Sequence, residues 1–352
     1  MQSMKELQVT SQDAKQRLDK FLKRTFPEMG TSFLYKMLRK KNITLNGKKA
    51  TGSEQVLSGD LIQCFFSDET FDKFAGIVSA GSGESVFDDN NLGNKKTLSG
   101  KDSYLEYKKA FETLNDIAVI YEDEHILLLD KPAGILSQKA KSDDLSLNEW
   151  MIGYLLDCEA VTEDSLRRFK PSICNRLDRN TSGLVICGKT LLGSREMSRI
   201  LKYRSLQKYY RTYVHGKMEG AETLIAYHKK DMKNNQVEIN FKVSESEKKA
   251  YDEIVTAYHM IEAKDNYSYM EIELITGKTH QIRAHLSAYG HPIVGDSKYG
   301  RKRKEGVYPK YQLLHAYRVV FPALDGELAH LSNKEFICEE PEAFKRFRDT
   351  IF

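Results

Sequence analysis

Apolar positions recur at helical spacing in three places and gather into strand-like bursts elsewhere. In residues 13–26, Leu18, Phe21, Leu22 and Phe26 step by three and four and Pro27 ends the run, which predicts a helix. A second helix comes next, with Thr31 or Ser32 as N-cap, an apolar face of Phe33, Leu34, Met37 and Leu38, and Arg39, Lys40 and Lys41 at its C-terminal turn. The stretch NITLNGKK alternates like a strand and turns at Asn46-Gly47, a hairpin signal, and a strand around Leu61-Ile62 closes the unit. Farther along, Tyr104, Tyr107, Phe111 and Leu114 form the stripe of a short amphipathic helix that docks on the domain C-terminal to it, a pattern most simply read as packing.

The rest of the chain alternates strands and helices. Residues 119–138 hold two apolar bursts separated by Glu122-Asp123-Glu124, a predicted hairpin whose second strand ends at Lys131-Pro132-Ala133-Gly134. In residues 175–190 a polar loop runs into a buried strand from Leu184 to Cys187. A strand from Tyr269 to Ile275 turns at Thr276-Gly277, and a helix then carries His280, Arg283 and His285. The segment from Ser79 to Ser103, rich in Ser, Gly, Asp and Asn, is too poor in apolar residues to fold as a unit and reads as a flexible linker.

Charge sharpens this division. The 352 residues carry a net charge of +4, which resolves into +6 for residues 1–66, −7 for 67–124 and +5 for 125–352. Clustered positive charge at both ends is the electrostatic footprint of a polyanion partner, although surface charge is often only solvating. No window approaches the ~20 uninterrupted apolar residues of a membrane span, and the first residues lack the pattern of a secretory signal, so a cytoplasmic protein with no membrane partner is expected. The five cysteines are odd in number and scattered, which fits neither a disulfide framework nor a zinc ribbon.

Two stretches carry candidate chemistry. In the loop NRLDRNTS, Asp178 sits between Arg176 and Arg179, and opposite charge beside a carboxylate keeps it ionised. Read alone, the loop suits a structural ion pair as well as a nucleophile or base. In the second, His280 and His285 are five apart rather than four, so no metal site is expected, and Arg283 suits either a surface cation or the partner of a distant carboxylate. The run from Gly183 to Thr190 satisfies the P-loop expression, but its four middle residues are apolar and strand-like where a phosphate cradle needs a loop, so nucleotide hydrolysis is rejected.

Two resemblances organise these signals. The stretch from RLDKFL through VLSGDLI, about 50 residues bearing Lys36, Arg39, Lys40, Lys41, Lys48 and Lys49, resembles the alpha-L RNA-binding module. From about residue 117 to 322, the segments VIYEDEHILLLDKPAGILSQ, NRLDRNTSGLVICGKT, QKYYRTYVHGK, VSESEKKAYDEI, LITGKTHQIRAHLSAYGHPIVGDSKYG and LLHAYRVVFP resemble the RluA-type pseudouridine synthases in motif order. The attached head is similar to that of the subgroup acting on large-subunit ribosomal RNA; transfer RNA is the family's other substrate.

The resemblance implies an α+β fold: a small N-terminal α+β RNA-binding domain over 1–66, a flexible acidic linker with a short helix over 67–116, and a catalytic domain over 117–352 on a mixed, largely antiparallel sheet. It implies Asp178 as the reacting carboxylate, Arg283 as its partner, Tyr210 against the target base and Arg176 filling the gap left by a flipped base. RNA contacts are expected from the six head cations and from Arg176, Arg301 and Arg303. A cofactor-free, metal-free monomer is expected, with a non-catalytic RNA-binding ribosome-assembly factor as the alternative. Two positions depart from the family pattern: Asn175 stands for the usual His, and Lys278 for the frequent Arg.

Overall fold

The computed structural model describes residues 3–10, 13–26, 29–67, 70–71, 74, 100–231, 236–300 and 309–352. The expected linker falls largely outside them, as do Arg301 and Arg303. By packing, the chain divides into two compact units, 1–104 with 156–170, and 105–155 with 171–352.

In the first unit, strand β1 (Ser3–Gln8) is followed by β2 (Gln16–Arg17), helix α1 (Leu18–Thr25), helix α2 (Thr31–Arg39), and strands β3 (Ile43–Leu45), β4 (Lys48–Lys49), β5 (Gln55–Val56) and β6 (Leu61–Phe66). An antiparallel sheet runs β1-β6-β3-β4. The core takes Leu18, Leu22 and Phe26 from α1, Leu34 and Leu38 from α2, and Ile43 and Ile62 from the sheet, as the apolar spacing requires. Two local expectations are corrected. Helix α1 starts at Leu18 because Gln16 and Arg17 pair with β5 instead. Gly30, not Thr31 or Ser32, caps α2, so no side chain accepts from its first turn.

The second unit holds helices α3 (Gly100–Thr113, from residue 105 on), α4 (Leu147–Asp157, to residue 155), α5 (Leu191–Lys202), α6 (Gln281–Ala288) and α7 (Glu342–Ile351). Its strands are β7 (Ala118–Glu122), β8 (Ile126–Lys131), β9 (Ser172–Ile173), β10 (Ser182–Gly188), β11 (Gln207–His215), β12 (Ala221–Asp231), β13 (Gln236–Asn240), β14 (Asp252–Lys264), β15 (Tyr267–Leu274), β16 (Leu314–Val320) and β17 (Glu335–Ile337). They join in one sheet ordered β13-β12-β14-β15-β11-β16-β10-β8-β7, with β9 beside β10 and β17 beside β16. Every pairing is antiparallel except β10 with β16, so the architecture is the mixed, mainly antiparallel α+β sheet that was expected.

The stripe on α3 packs in part as the sequence implied, since Tyr104, its first member, is exposed. Tyr107 and Ala110 are buried, and the Phe111 ring lies 5.5 Å from that of Trp150 on α4. Strand β10 is buried along its whole length, which is why it reads as a continuous apolar run. It meets β16 at Gly183, whose φ is +114° and where an added Cβ would collide with the Ala316 carbonyl. Gly183→Ala is therefore expected to lower stability by about 2 kcal/mol or more, through both overpacking and backbone strain. A denaturant midpoint unchanged from wild type would contradict this. Among the described residues no helix is long and apolar enough to cross a membrane.

Candidate active site

The loop joining β9 to β10 carries Asp178 at the mouth of a cleft of about 770 Å³ in the second unit. Its backbone is pinned by the segment after β8. Ser137 Oγ accepts from Leu177 N at 3.0 Å and donates to Leu177 O at 2.7 Å. The Arg179 carbonyl accepts from Gly134 N at 2.8 Å and from Lys131 Nζ at 3.1 Å. Lys131 is fully buried and also donates to the carbonyls of Pro132 and Ile135. Burial pushes its amine down to about 7, against the upward pull of Asp178 and Asp130. Three carbonyls around one Nζ is an arrangement that a protonated amine satisfies best.

Opposite the loop, α6 brings Arg283 to Asp178, with Nη1 2.6 Å from Asp178 Oδ2. The other edge of the same guanidinium is bidentate to Asp296, through Nε at 2.7 Å and Nη2 at 2.9 Å. Asp296 has no exposed side-chain surface and also accepts the amides of Lys298 and Tyr299. Burial opposes its charge, but Arg283 and these amides outweigh burial and hold its carboxyl below the usual range. Burial likewise opposes the guanidinium, and the two carboxylates overcome it and hold its proton more firmly. Arg283 is thus clamped from behind by one carboxylate and presents its free edge to another.

Asp178 Oδ1 is left facing the cleft, 4.0 Å from His280 Nε2. His280 begins α6 with a left-handed backbone, φ +53°, and its Nδ1 lies 2.9 Å from Tyr299 Oη. Burial lowers the imidazole pKa against the pull of Asp178, so the ring is neutral at pH 7. Tyr210 enters from β11 at a bulge against β16, a device that re-aims a side chain. Its phenol is buried, and burial together with Asp178 pushes its pKa up, so it is a proton donor at neutral pH.

Asp178, Arg283, Tyr210 and Arg176 all line this cleft, as do Lys208 and Lys278. The flanking arginines do not pair with Asp178 as the loop sequence suggested. Both are exposed, and Arg179 Nε donates to Gly134 O instead. Lys36, Arg39, Lys40, Lys41, Lys48 and Lys49 are exposed at the end of α2 and on the hairpin after it, in the first unit. The two departures have structural tasks: Asn175 Oδ1 accepts from Ile186 N at 2.7 Å, and Lys278 pairs with Asp252 at 2.8 Å. Gly183 to Gly188 forms strand β10, and Lys189 is held by Glu122 at 2.6 Å, so no phosphate loop exists there.

Sequence reasoning did not single out Asp296, Lys131 or Tyr299 and gave His280 no catalytic setting. Asp296 and Tyr299 lie within the quoted GDSKYG, so a positional signal was available, but nothing local assigns them to Arg283 and His280.

Comparison with known proteins meets this geometry. Residues 125–288 match the family model described as RNA pseudouridylate synthase. The chain is 30% identical over 322 residues to an uncharacterized RNA pseudouridine synthase of Mycoplasma genitalium, covering 90% of this chain and 89% of the relative. It is 31% identical to a ribosomal large subunit pseudouridine synthase C of Rickettsia felis, covering 86% and 87%. A ribosomal large subunit pseudouridine synthase D of Borreliella burgdorferi is 30% identical over 67% of this chain and 69% of its own. Among solved structures, human RNA pseudouridylate synthase domain containing 4 shares the fold, with a TM-score of 0.51 at 19% identity over 70% of this chain and 97% of that one.

Proposed function

The chain belongs to the RNA pseudouridylate synthase family, enzymes that isomerise RNA, and from that footing we propose that it converts uridines of large-subunit ribosomal RNA to pseudouridine, with Asp178, Arg283 and Tyr210 as the reacting constellation. The observation that carries this reading is the Asp178–Arg283 pair. One carboxylate oxygen is fixed by a clamped guanidinium, and the other faces a cleft large enough for a nucleotide.

The reaction breaks the N1–C1′ bond, turns the base and forms a C5–C1′ bond, with the C5 proton released and one proton returned to N1. Every bond made or broken lies within one nucleotide, so no electron or group carrier takes part. Asp178 contributes the carboxylate that captures the sugar, adds to the base or takes a sugar proton. Arg283 holds it oriented. Tyr210, protonated and desolvated, lies against the base, and Arg176 fills the stack from which the base is flipped. Transfer RNA is the second substrate class consistent with the family. A non-catalytic ribosome-assembly role is disfavoured because the whole constellation is present. Purified protein is expected to release tritium from C5-labelled uridine in ribosomal RNA; no release on ribosomal or transfer RNA would favour the binder.

The head cations support a second, sequence-independent grip on phosphate, which with Arg301 and Arg303 would position the RNA. Replacing Lys36, Arg39, Lys40 and Lys48 together by Ala is expected to weaken RNA binding and flatten its salt dependence by about 0.7–0.9 in log–log slope per lost phosphate contact. An unchanged slope would remove the head from the interface.

A further inference from the structure

Behind the Asp178 loop, three side chains from distant parts of the chain converge. Asp130 ends β8 one residue before Lys131, His315 lies in β16, and Cys338 comes just after β17; one donor atom of each falls within 4.8 Å of the other two. His315 and Cys338 are buried, and Asp130 is half-buried. His315 Nε2 is 3.3 Å from Cys338 Sγ, while its Nδ1 is 2.9 Å from Ser182 Oγ. The half-buried Asp130 carboxylate has no hydrogen bond or ion pair with any described residue.

We propose that Asp130, His315 and Cys338 form a zinc site, with the fourth position open to water on the solvent side of Asp130. A thiolate, an imidazole and a carboxylate are the donor types zinc takes, and the sulfur and nitrogen select against magnesium and calcium. Zinc at about 2.3 Å from sulfur and about 2.0 Å from nitrogen would set those atoms about 3.6 Å apart in a tetrahedron, close to the spacing observed. The charges of one carboxylate, one thiolate and one neutral imidazole sum to zero against the dication, which suits a buried position. Ser182 on the far nitrogen is the outer contact that fixes a ligating imidazole. The site would brace the reacting loop at both ends, through Lys131 on the Arg179 carbonyl and through Ser182, the first residue after the loop.

The test uses the full chain, reconstituted with zinc and dialysed against metal-free buffer. Retention of about one zinc per chain by elemental analysis is expected, and cobalt exchange is expected to give the near-ultraviolet absorption of a cobalt–thiolate bond. Cys338→Ser should abolish that absorption, and Asp130→Asn, which keeps shape and is the variant to use if His315→Ala fails to fold, should weaken zinc binding by about 10- to 100-fold. Two results would overturn the site. One is folded wild-type protein that neither retains zinc nor shows the cobalt band, which would leave a hydrogen-bonded thiol–imidazole pair beside Asp130. The other is folded Cys338→Ser protein with undiminished zinc.

Discussion

Asp178→Asn is expected to lower the isomerisation rate by on the order of 10⁴-fold or more while RNA affinity stays within a few fold. The amide keeps the size of the carboxyl and still accepts from Arg283 Nη1, so the loop held by Ser137 and Lys131 stays in place. What is lost is the anionic oxygen that faces the cleft, and an amide neither attacks carbon nor takes a proton at neutral pH. Affinity is expected to survive because the proposed grip on the RNA is through phosphate contacts rather than this side chain. Tritium release under single-turnover conditions, beside filter binding of the same RNA, separates the two quantities. Activity within tenfold of wild type would sink the assignment.

The second large effect falls on stability. Arg283→Met is expected to cost about 3–5 kcal/mol, because it leaves Asp296 fully buried with two backbone amides and no counter-charge. Asp296→Asn in the same background should restore part of that loss, so the double variant should be less destabilised than the sum of the singles. The pH dependence has a definite sign. The folded-state pKa of Asp296 is depressed, so its stabilisation is present above the ordinary Asp value of about 3.9 and is lost as pH falls through the lower folded value. The penalty of Arg283→Met should therefore shrink in acid. Urea midpoints at neutral and acidic pH measure this, and a penalty below about 1 kcal/mol at neutral pH would show that the buried carboxylate does not depend on the arginine.

Much of this was legible along the chain, for a physical reason. Apolar periodicity is local, so α1, α2, the β7–β8 hairpin and the stripe on α3 could be anticipated within a few residues. Motif resemblance brought Asp178, Tyr210 and Arg283 forward from the sequence alone, and all three line one cleft. What could not be read is pairing across distance. The loop sequence points to Arg176 and Arg179 as the partners of Asp178, yet both side chains are exposed, and the bound guanidinium comes from 105 residues away. Likewise β1 joins β6, and residues 156–170 group with the first unit, by contacts that no local spacing encodes.

The double clamp on Arg283 has a further consequence. Before reaction, two carboxylates and one guanidinium leave the trio with a single surplus negative charge. If Asp178 reacts as proposed, by bonding to sugar, bonding to base or accepting a proton, it becomes neutral, and the surplus passes to the nucleotide. Arg283 is not stranded at that moment, because Asp296 remains as its resident counter-ion. In the proposed reaction Asp178 is thus discharged without creating an unmatched cation in the cleft, and the original charge balance returns when the carboxylate is regenerated as the product forms.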